Sequence, residues 1–514
     1  MPEDRVNQSD MVTVELLPLG RALRVPVGTP LQDFLFAQGV EFPCGGHGRC
    51  KGCRVRVLGG ELPVTPDDAR LLAADEIATG WRLACRAQAR GDLKLELAQW
   101  DATILADDTR FEFTPADGLG IAVDLGTTTI VAQLLDRQTG HVLGVRTALN
   151  RQARHGADIM SRIDFAMTPG GLESLRDLIR HQIGDLIAHL LKPLSQGETP
   201  PPLREVVIVG NTVMHHLFGG LSVEPLSHHP FVPTNDGLQV FPAAELGWHL
   251  PGATVRFLPC LGGFVGSDIL AGVLATRLHE SSELVGLVDL GTNGEIVIGN
   301  RDGLLCASTA AGPAFEGARI SMGMRAATGA ISEISVADGQ LQCRVVGHVP
   351  PRGLCGSGLV DAVAAGLDLG RIRPNGRLAE GNSWTLAEPV KLTQADIREL
   401  QLAKGAIAAG IRLLLRQRDA EPEDLTRLYL AGAFGNYINR ASARRIGLLG
   451  FPLDKITPAG NTALLGAKLA LFGPPDQGGD FTELRRRIQH VSLNEDPGFH
   501  EIYVEEMGFP GESS

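Results

Sequence analysis

Four cysteines near the N-terminus constrain this chain more than any other feature. Three crowd into residues 42 to 53, FPCGGHGRCKGC, as Cys44, Cys50 and Cys53; the fourth, Cys85, closes the later stretch RLAC. The spacing is C-x5-C-x2-C-x31-C. Gly45, Gly46, Gly48 and Gly52 let the loop turn its amides inward onto sulfur, while Cys85 arrives from a separate strand. The opening MPEDRVNQSDM lacks the apolar region of a secretory signal, and no apolar run approaches the roughly 20 residues that span a bilayer. The chain therefore reads as cytoplasmic, where clustered thiols are ligands more often than disulfides. Structural zinc usually shows two C-x(2–4)-C pairs, and Cys85 has no near partner, so iron–sulfur ligation is favoured over zinc.

The loop is similar to that of plant-type [2Fe-2S] ferredoxins, C-x4-C-x2-C with a remote fourth cysteine, and resembles the adrenodoxin-like branch, which also has five residues between its first two cysteines. The surroundings agree with a small α+β β-grasp domain over residues 1–97. VTVELLP and RALRVPV alternate like a hairpin, Thr29 and Pro30 read as N-cap and first turn of a helix LQDFLFAQG, and CRVRVLG and LKLELA supply further strands. Residues 44 to 90 carry eight Lys/Arg (Arg49, Lys51, Arg54, Arg56, Arg70, Arg82, Arg86 and Arg90) against five acids. That excess is either a docking face for an acidic redox partner or ordinary solvated charge. His47 reads as a loop residue rather than a ligand.

At 514 residues the chain exceeds a single core, and its formal net charge of −12 argues against nucleic-acid binding. Residues 98–118 have weak periodicity and read as a linker. There follows LGIAVDLGTTTIVAQLLD, a strand, a Gly/Thr turn and a returning strand. Asp124, Gly126, Thr127 and Thr128 suit a phosphate hairpin: glycine permits close approach, amides and hydroxyls donate, and a carboxylate faces Mg2+ or its waters. VGLVDLGTNGEIVIG repeats the arrangement with Asp289, Gly291, Thr292, Asn293 and Gly294. Two such hairpins imply two similar lobes, 119–278 and 279–475, facing a nucleotide from both sides. A third glycine turn, Gly432, Ala433, Phe434, Gly435 and Asn436, follows strand 427 to 431 and would let an adenosine lie against the backbone. Before it, Thr393 caps a long amphipathic helix with Asp396 three residues on, and Ile397, Leu400, Ile407, Ile411 and Leu414 share one face.

Taken in order, these motifs resemble the actin, sugar-kinase and Hsp70 superfamily of two-lobed α/β (ribonuclease H-like) ATPases. The resemblance implies ATP as ligand, Asp124 serving Mg2+ and Asp289 positioning the attacking water. VVIVGNTVMHHLFGGL, PCLGGFVGSDILAG, ASTAAGPAFEGARISMGM and GLCGSGLVDAVA resemble one branch closely: the reductive activators of corrinoid proteins, which join a [2Fe-2S] domain to an ATPase. That resemblance covers nearly the whole chain, including domain order. It implies an ATP-hydrolysing iron–sulfur reductase that returns one electron to the Co(II) corrinoid of a methyltransferase system, restoring Co(I). Its partners would be that corrinoid protein and an external low-potential electron donor, with no membrane or nucleic acid, and with a homodimer left open. Plant-type clusters sit near about −400 mV, and each further ~59 mV costs roughly tenfold in a one-electron equilibrium, so ATP closure is expected to ease an uphill transfer.

By the same resemblance Asn211, Thr212, Asp268, Glu316 and Gly356–Ser357–Gly358 are cleft elements, each equally readable as a turn or cap. Some family members carry a cysteine-rich C-terminal region; the tail of residues 476–514 holds no Cys here, and its stretch FHEIYVEEMGFP reads as a closing strand and surface segment. Cys260, Cys306, Cys343 and Cys355 lack ligand spacing and read as small core hydrophobes. The pairs His215–His216 and His228–His229 read as packing or capping. The rivals are an ATP-driven reactivase of a cobalamin enzyme, a small-molecule kinase of the same fold, and a 2-hydroxyacyl-CoA dehydratase activator. The last holds its cluster between subunits, against which the C-x5-C-x2-C loop argues.

Overall fold

The alternation at the N-terminus folds as the pleat requires. Strand β1 (Met11–Leu17) turns Val12, Val14 and Leu16 inward and pairs antiparallel with β2 (Arg21–Pro26). The computed structural model describes residues 11–17, 21–36, 53–97, 113–156, 158–196, 201–291, 293–317, 319–324, 326, 329–346, 350–435, 437–473 and 481–511. After β2 come β3 (Thr29–Pro30) and helix α1 (Leu31–Phe36). Thr29 is not the expected N-cap: its backbone pairs with Ala89 and its hydroxyl donates to the Pro26 carbonyl at 2.7 Å, so extended pairing claims it before the helix begins. Then follow β4 (Arg54–Gly59), α2 (Pro66–Leu71), α3 (Ala74–Ala78), β5 (Trp81–Leu83), β6 (Gln88–Ala89) and β7 (Leu93–Leu97). The five-stranded sheet runs β2-β1-β7-β4-β5, with β7 parallel to β1, and closes over Leu31, Leu35, Val55, Leu83 and Leu95. This is the anticipated β-grasp.

Of the expected linker, 98–112 lies outside the described residues. Residues 113–118 lie along the next unit, Phe113 meeting Phe472 at a ring distance of 4.5 Å and the Ala116 amide donating to the Arg137 carbonyl. That unit contains β8 (Leu119–Leu125), β9 (Thr129–Asp136), β10 (Val142–Leu149), α4 (Ile159–Ala166), α5 (Gly171–Leu191), β11 (Leu203–Gly210), α6 (Thr212–Gly219), β12 (Gln239–Pro242), β13 (Thr254–Phe257) and α7 (Ser267–Thr276). Strand β8 is apolar almost throughout because both of its faces are covered.

The second unit opens with β14 (Val285–Leu290), β15 (Gly294–Asn300) and β16 (Gly303–Thr309). It continues through β17 (Ala330–Ala337), β18 (Gln340–Val345), β19 (Gly353–Leu354), α8 (Gly356–Asp368), β20 (Ser383–Ala387), β21 (Val390–Thr393) and α9 (Gln394–Arg416). It ends with β22 (Arg427–Ala431), α10 (Gly432–Gly435), α11 (Arg440–Arg445), β23 (Ile456–Gly460), α12 (Thr462–Ala470), α13 (Thr482–Arg486), β24 (Ile488–His490) and α14 (Pro497–Glu506). The expected cap of α9 is present as a reciprocal Thr393–Asp396 box, and its five core-face residues are buried. The tail FHEIYVEEMGFP is not the expected closing strand: residues 497–506 form α14, which packs on α9 where buried Lys404 faces Glu506, and it is β24 upstream that adds to the sheet beside β16. No described helix is long and apolar enough to cross a membrane.

The two large sheets share one topology. β10-β9-β8-β11-β13 corresponds strand for strand to β16-β15-β14-β22-β23, each with two antiparallel hairpins followed by parallel crossovers. The helices that follow the equivalent strands β13 and β23, α7 and α12, cross between the lobes in a shared core with Val207, Val209, Leu287 and Val297. A Cβ on Gly466 would lie 2.0 Å from the Ala271 carbonyl oxygen, so backbone meets backbone at this crossing. The β-grasp domain touches the second lobe through Arg344, 3.3 Å from the buried Asp33 of α1, while Trp81 packs against both its own core and the shared one. Gly466→Ala is expected to lower stability by about 2 kcal/mol, because rigid backbone must move to admit the methyl. Gly450→Ala, with nothing within 4 Å of its added Cβ, is expected to stay within ~0.5 kcal/mol. Denaturant unfolding of the two variants checks this; equal midpoints would refute the tight crossing.

Candidate nucleotide and metal sites

The first hairpin closes tightly: the Gly126 amide donates to the Thr129 carbonyl at 3.0 Å, and a Cβ on Gly126 would fall 2.7 Å from that oxygen. Its far side is tied down by a buried polar network. Asn150 donates from its side chain to the Gly126 carbonyl at 3.0 Å, and Arg162 of α4 donates to the Thr127 carbonyl at 2.6 Å. In a trans peptide C=O and N–H point opposite ways, so the amides of Thr127 and Thr128 face away from this network. Neither amide donates to another described group, and both residues are half-exposed. The turn therefore offers two free donors to an anion. Asn211, capping α6, donates to the Thr127 hydroxyl at 2.9 Å.

The crossing helices bring the lobes' acids together. Asn461, the cap of α12, donates to Asp124 of the first lobe at 2.9 Å. Asp268, in the first turn of α7, reciprocally feels Asp289 of the second. Burial pushes Asp124 up to about 6 against the opposing pull of the Asn461 amide. Burial first and then the charge of Asp124 raise Asp289 to about 7. Asp268 rises to about 8 through burial, then Asp289 and Asp124. Glu295 on β15 lies well above the carboxylate range for the same reasons, burial leading and Asp268 and Asp289 following. All four keep some exposure, so they line a cleft rather than a sealed core. Among the described residues no three His, Cys, Asp or Glu side chains converge to cage an ion. A hard cation here would take few protein ligands and complete its shell with water and phosphate, the habit of Mg2+.

The third turn abuts the second hairpin directly. Gly432 has φ +85°, and a Cβ there would come within 2.4 Å of the Asp289 carboxylate. Residues 432–435 form a helical turn rather than an open loop, and Phe434 stacks on Phe315 at 4.8 Å. Gly291 and Asn293 flank Thr292, which lies outside the described residues, as does Asn436; Ala433 is placed by its backbone. Gly356 and Gly358 let α8 start against the carbonyls of Phe315 and Ile331, and the Ser357 hydroxyl donates to Ser332. Glu316 is placed only by its backbone, in the turn Pro313–Glu316. His215 and His216 are both buried on α6, His215 against Phe257 and the Gly237 carbonyl, and His216 against the Thr212 carbonyl.

Of the four N-terminal cysteines, Cys44 and Cys50 lie outside the described residues, as does His47. Cys53 is buried, Cys85 is half-buried, and the Ala84 amide donates to the Cys53 carbonyl at 3.0 Å, so β4–β5 pairing sets these two thiol-bearing segments side by side. The two placed segments fit the remote-ligand half of the expected set. Cys260, Cys306 and Cys355 are buried, and Cys343 is half-buried; burial drives the Cys306 thiol to about 12, which suits core residues. The basic residues are mostly engaged within the domain. Arg54 pairs with Glu76 and lies over Trp81, Arg56 approaches Glu96, Arg70 and Arg86 share Asp67, and Arg82 donates to three carbonyls. The side chains of Arg56, Arg70 and Arg86 stay partly exposed beside these partners, and Arg49 and Lys51 lie outside the described residues.

Asn150, Arg162, Glu295 and Asn461 escaped the sequence reading. One signal was available: G-N-T occurs at 210–212 and again at 460–462, each time ending a strand and opening a helix whose asparagine reaches the first hairpin.

Comparison with known proteins agrees with this anatomy. Residues 14–90 match the 2Fe-2S iron–sulfur cluster binding domain, 119–281 the RACo middle region, and 283–514 the C-terminal ASKHA domain of RACo. The chain is 36% identical over 75% of its length to the corrinoid activation enzyme RamQ of Eubacterium limosum, covering 69% of that protein. It is 28% identical over 76% of its length to the [Co(II) methylated amine-specific corrinoid protein] reductase of Methanosarcina barkeri, covering 77% of it. A solved structure, the reductive activator for corrinoid, iron–sulfur protein, aligns with TM-score 0.65 at 29% identity, over 97% of this chain and 98% of that one.

The raised cleft acids carry a pH signature. A carboxyl whose folded pKa exceeds its unfolded value near 3.8 stabilises the fold below that pH and loses this contribution as pH climbs to the folded value, about 8 for Asp268. Asp268→Asn should therefore open a Tm advantage over the parent above about pH 4. The advantage should widen to roughly 2–4 °C near pH 8 and then stay constant. Nucleotide-free melting curves from pH 4.5 to 9 measure it; parallel curves would contradict the electrostatics.

Proposed function

We propose, on the premise that this chain belongs to the family of corrinoid-protein reductive activators, that it uses ATP hydrolysis to return one electron to a Co(II) corrinoid protein, restoring Co(I). The observation that carries the reading is the union, in one chain, of a cysteine-bearing β-grasp domain and two lobes whose Gly/Thr turns bring Asp124 and Asp289 into one electrostatic field beside α7 and α12. A [2Fe-2S] group held by Cys44, Cys50, Cys53 and Cys85 would supply the one-electron carrier. An external low-potential donor would recharge it.

The chain's own residues have distinct tasks in this reading. The Thr127 and Thr128 amides donate to a phosphate, and Gly126 lets it approach. Asp124, held by Asn461, would carry Mg2+. Asp289 would orient the attacking water, and Gly291, Thr292 and Asn293 would supply the matching phosphate contacts of the second lobe. Gly432, Ala433, Phe434 and Gly435 would bear the adenosine. Such positioning and electrostatics are most of what phosphoryl transfer requires. Lobe closure about the α7–α12 crossing would shift the β-grasp domain through Asp33–Arg344 and Trp81, remodelling the complex with the corrinoid protein and easing the uphill transfer. A reactivase without electron transfer would have no use for the four thiols.

The test combines pre-reduced protein, Mg-ATP and a Co(II) corrinoid protein under anaerobic conditions. The Co(I) absorption band should grow with nucleotide and fail to develop without it; equal growth in both would sink the ATP coupling. Asp289→Ala should keep the visible iron–sulfur spectrum while losing at least ~100-fold in partner-stimulated ATP turnover, in line with loss of a group that aligns the nucleophile. Unchanged turnover would remove Asp289 from the mechanism.

A further inference from the structure

Arg162 stands behind the phosphate hairpin, fully buried, and all of its contacts are neutral. It donates to the Gly156 carbonyl at 2.9 Å, the Gln152 amide oxygen at 3.3 Å, the Met214 sulfur at 3.7 Å and the Thr127 carbonyl at 2.6 Å. Asp158 attracts it from a distance, but that carboxylate caps α4 through Ser161 and makes no described hydrogen bond to the guanidinium. Burial lowers its pKa only to about 10, so it is a cation at neutral pH. Cations removed from water are ordinarily matched by an anion in contact. Among the described residues Arg162 has none. On the opposite side of that peptide the Thr128 amide faces outward, as does the Thr127 amide of the preceding peptide, whose Gly126 carbonyl Asn150 holds; among the described residues neither amide has an acceptor.

We propose that Arg162 is a positioning residue for the nucleotide's phosphate chain. Its guanidinium, anchored by Nε on Gly156 and Nη1 on Gln152, places Nη2 on the Thr127 carbonyl and so holds the Thr128 amide in donating orientation, and its buried charge makes the turn selective for an anion in front of it. The ligand chemistry is a polyphosphate, and the nucleoside portion lies beyond its influence. This inference rests on the ATP reading above.

Full-length protein is compared with Arg162→Gln and Arg162→Lys for binding of Mg-ATP and of adenosine by calorimetry, with the visible iron–sulfur spectrum as a check on folding. Arg162→Gln should weaken Mg-ATP at least tenfold, leave adenosine within threefold, and raise KM for ATP by a larger factor than it lowers kcat. Arg162→Lys keeps the charge but loses the fork, and should lose Mg-ATP affinity by an intermediate three- to tenfold, again sparing adenosine. Mg-ATP affinity unchanged in Arg162→Gln overturns the inference, as do equal losses for both ligands, which mean a distorted pocket. If Arg162→Gln does not fold, Arg162→Lys decides alone: selective loss of Mg-ATP supports the inference, equal loss or none overturns it. Parent protein that binds no Mg-ATP instead fails the nucleotide reading itself.

Discussion

The crossing of α7 and α12 is the contact from which the rest of this architecture follows. Each helix ends the βαβ layer of one lobe, and glycine at position 466 lets their backbones meet without intervening side chains. Two sheets alike in five of their six strands can then share one apolar layer. The crossing also trades polar termini: α12 sends Asn461 to Asp124, and α7 sets Asp268 near Asp289. Chemistry in the cleft therefore depends on a packing geometry fixed by small residues rather than by any strong bond.

That geometry concentrates negative charge. Burial raises all four of Asp124, Asp268, Asp289 and Glu295; Asp124 further raises Asp289 and Asp268, and Asp268 and Asp289 raise Glu295, while the buried cation Arg162 sits behind the first hairpin. The arrangement separates two electrostatic tasks. The acids call for a cation, while the backed hairpin calls for an anion, and a metal–polyphosphate complex satisfies both. In the absence of such a ligand the acids relieve their repulsion by holding protons, which explains why they can be tolerated in a folded cleft.

The β-grasp domain is docked on the second lobe rather than simply tethered. Its apparent basic excess is drawn into ion pairs and carbonyl contacts within the domain, and Arg344 of β18 reaches the buried Asp33 of α1. Trp81 adds apolar contact with the shared core to this half-buried pair, so the two contacts orient the domain on the second lobe.

Local patterns were legible in the chain because their determinants are neighbours in sequence. The cysteine spacing, the alternation of β1 and β2, the two D-x-G-T turns and the Thr393–Asp396 cap all depend on residues within a few positions of one another. One misreading arose where a distant strand competed. Thr29 carries the signature of a helix cap, but the distant strand residue Ala89 pairs with its backbone instead. The functional environment of the cleft belongs wholly to tertiary structure. Asn461 and Asp124 are 337 residues apart, and Arg162 has no sequence neighbour that announces its burial. The sequence alone thus determined which modules form and which residues tip their hairpins. Only packing decided which acids share a field and which cation backs the first hairpin, because burial and electrostatic coupling depend on distance in space.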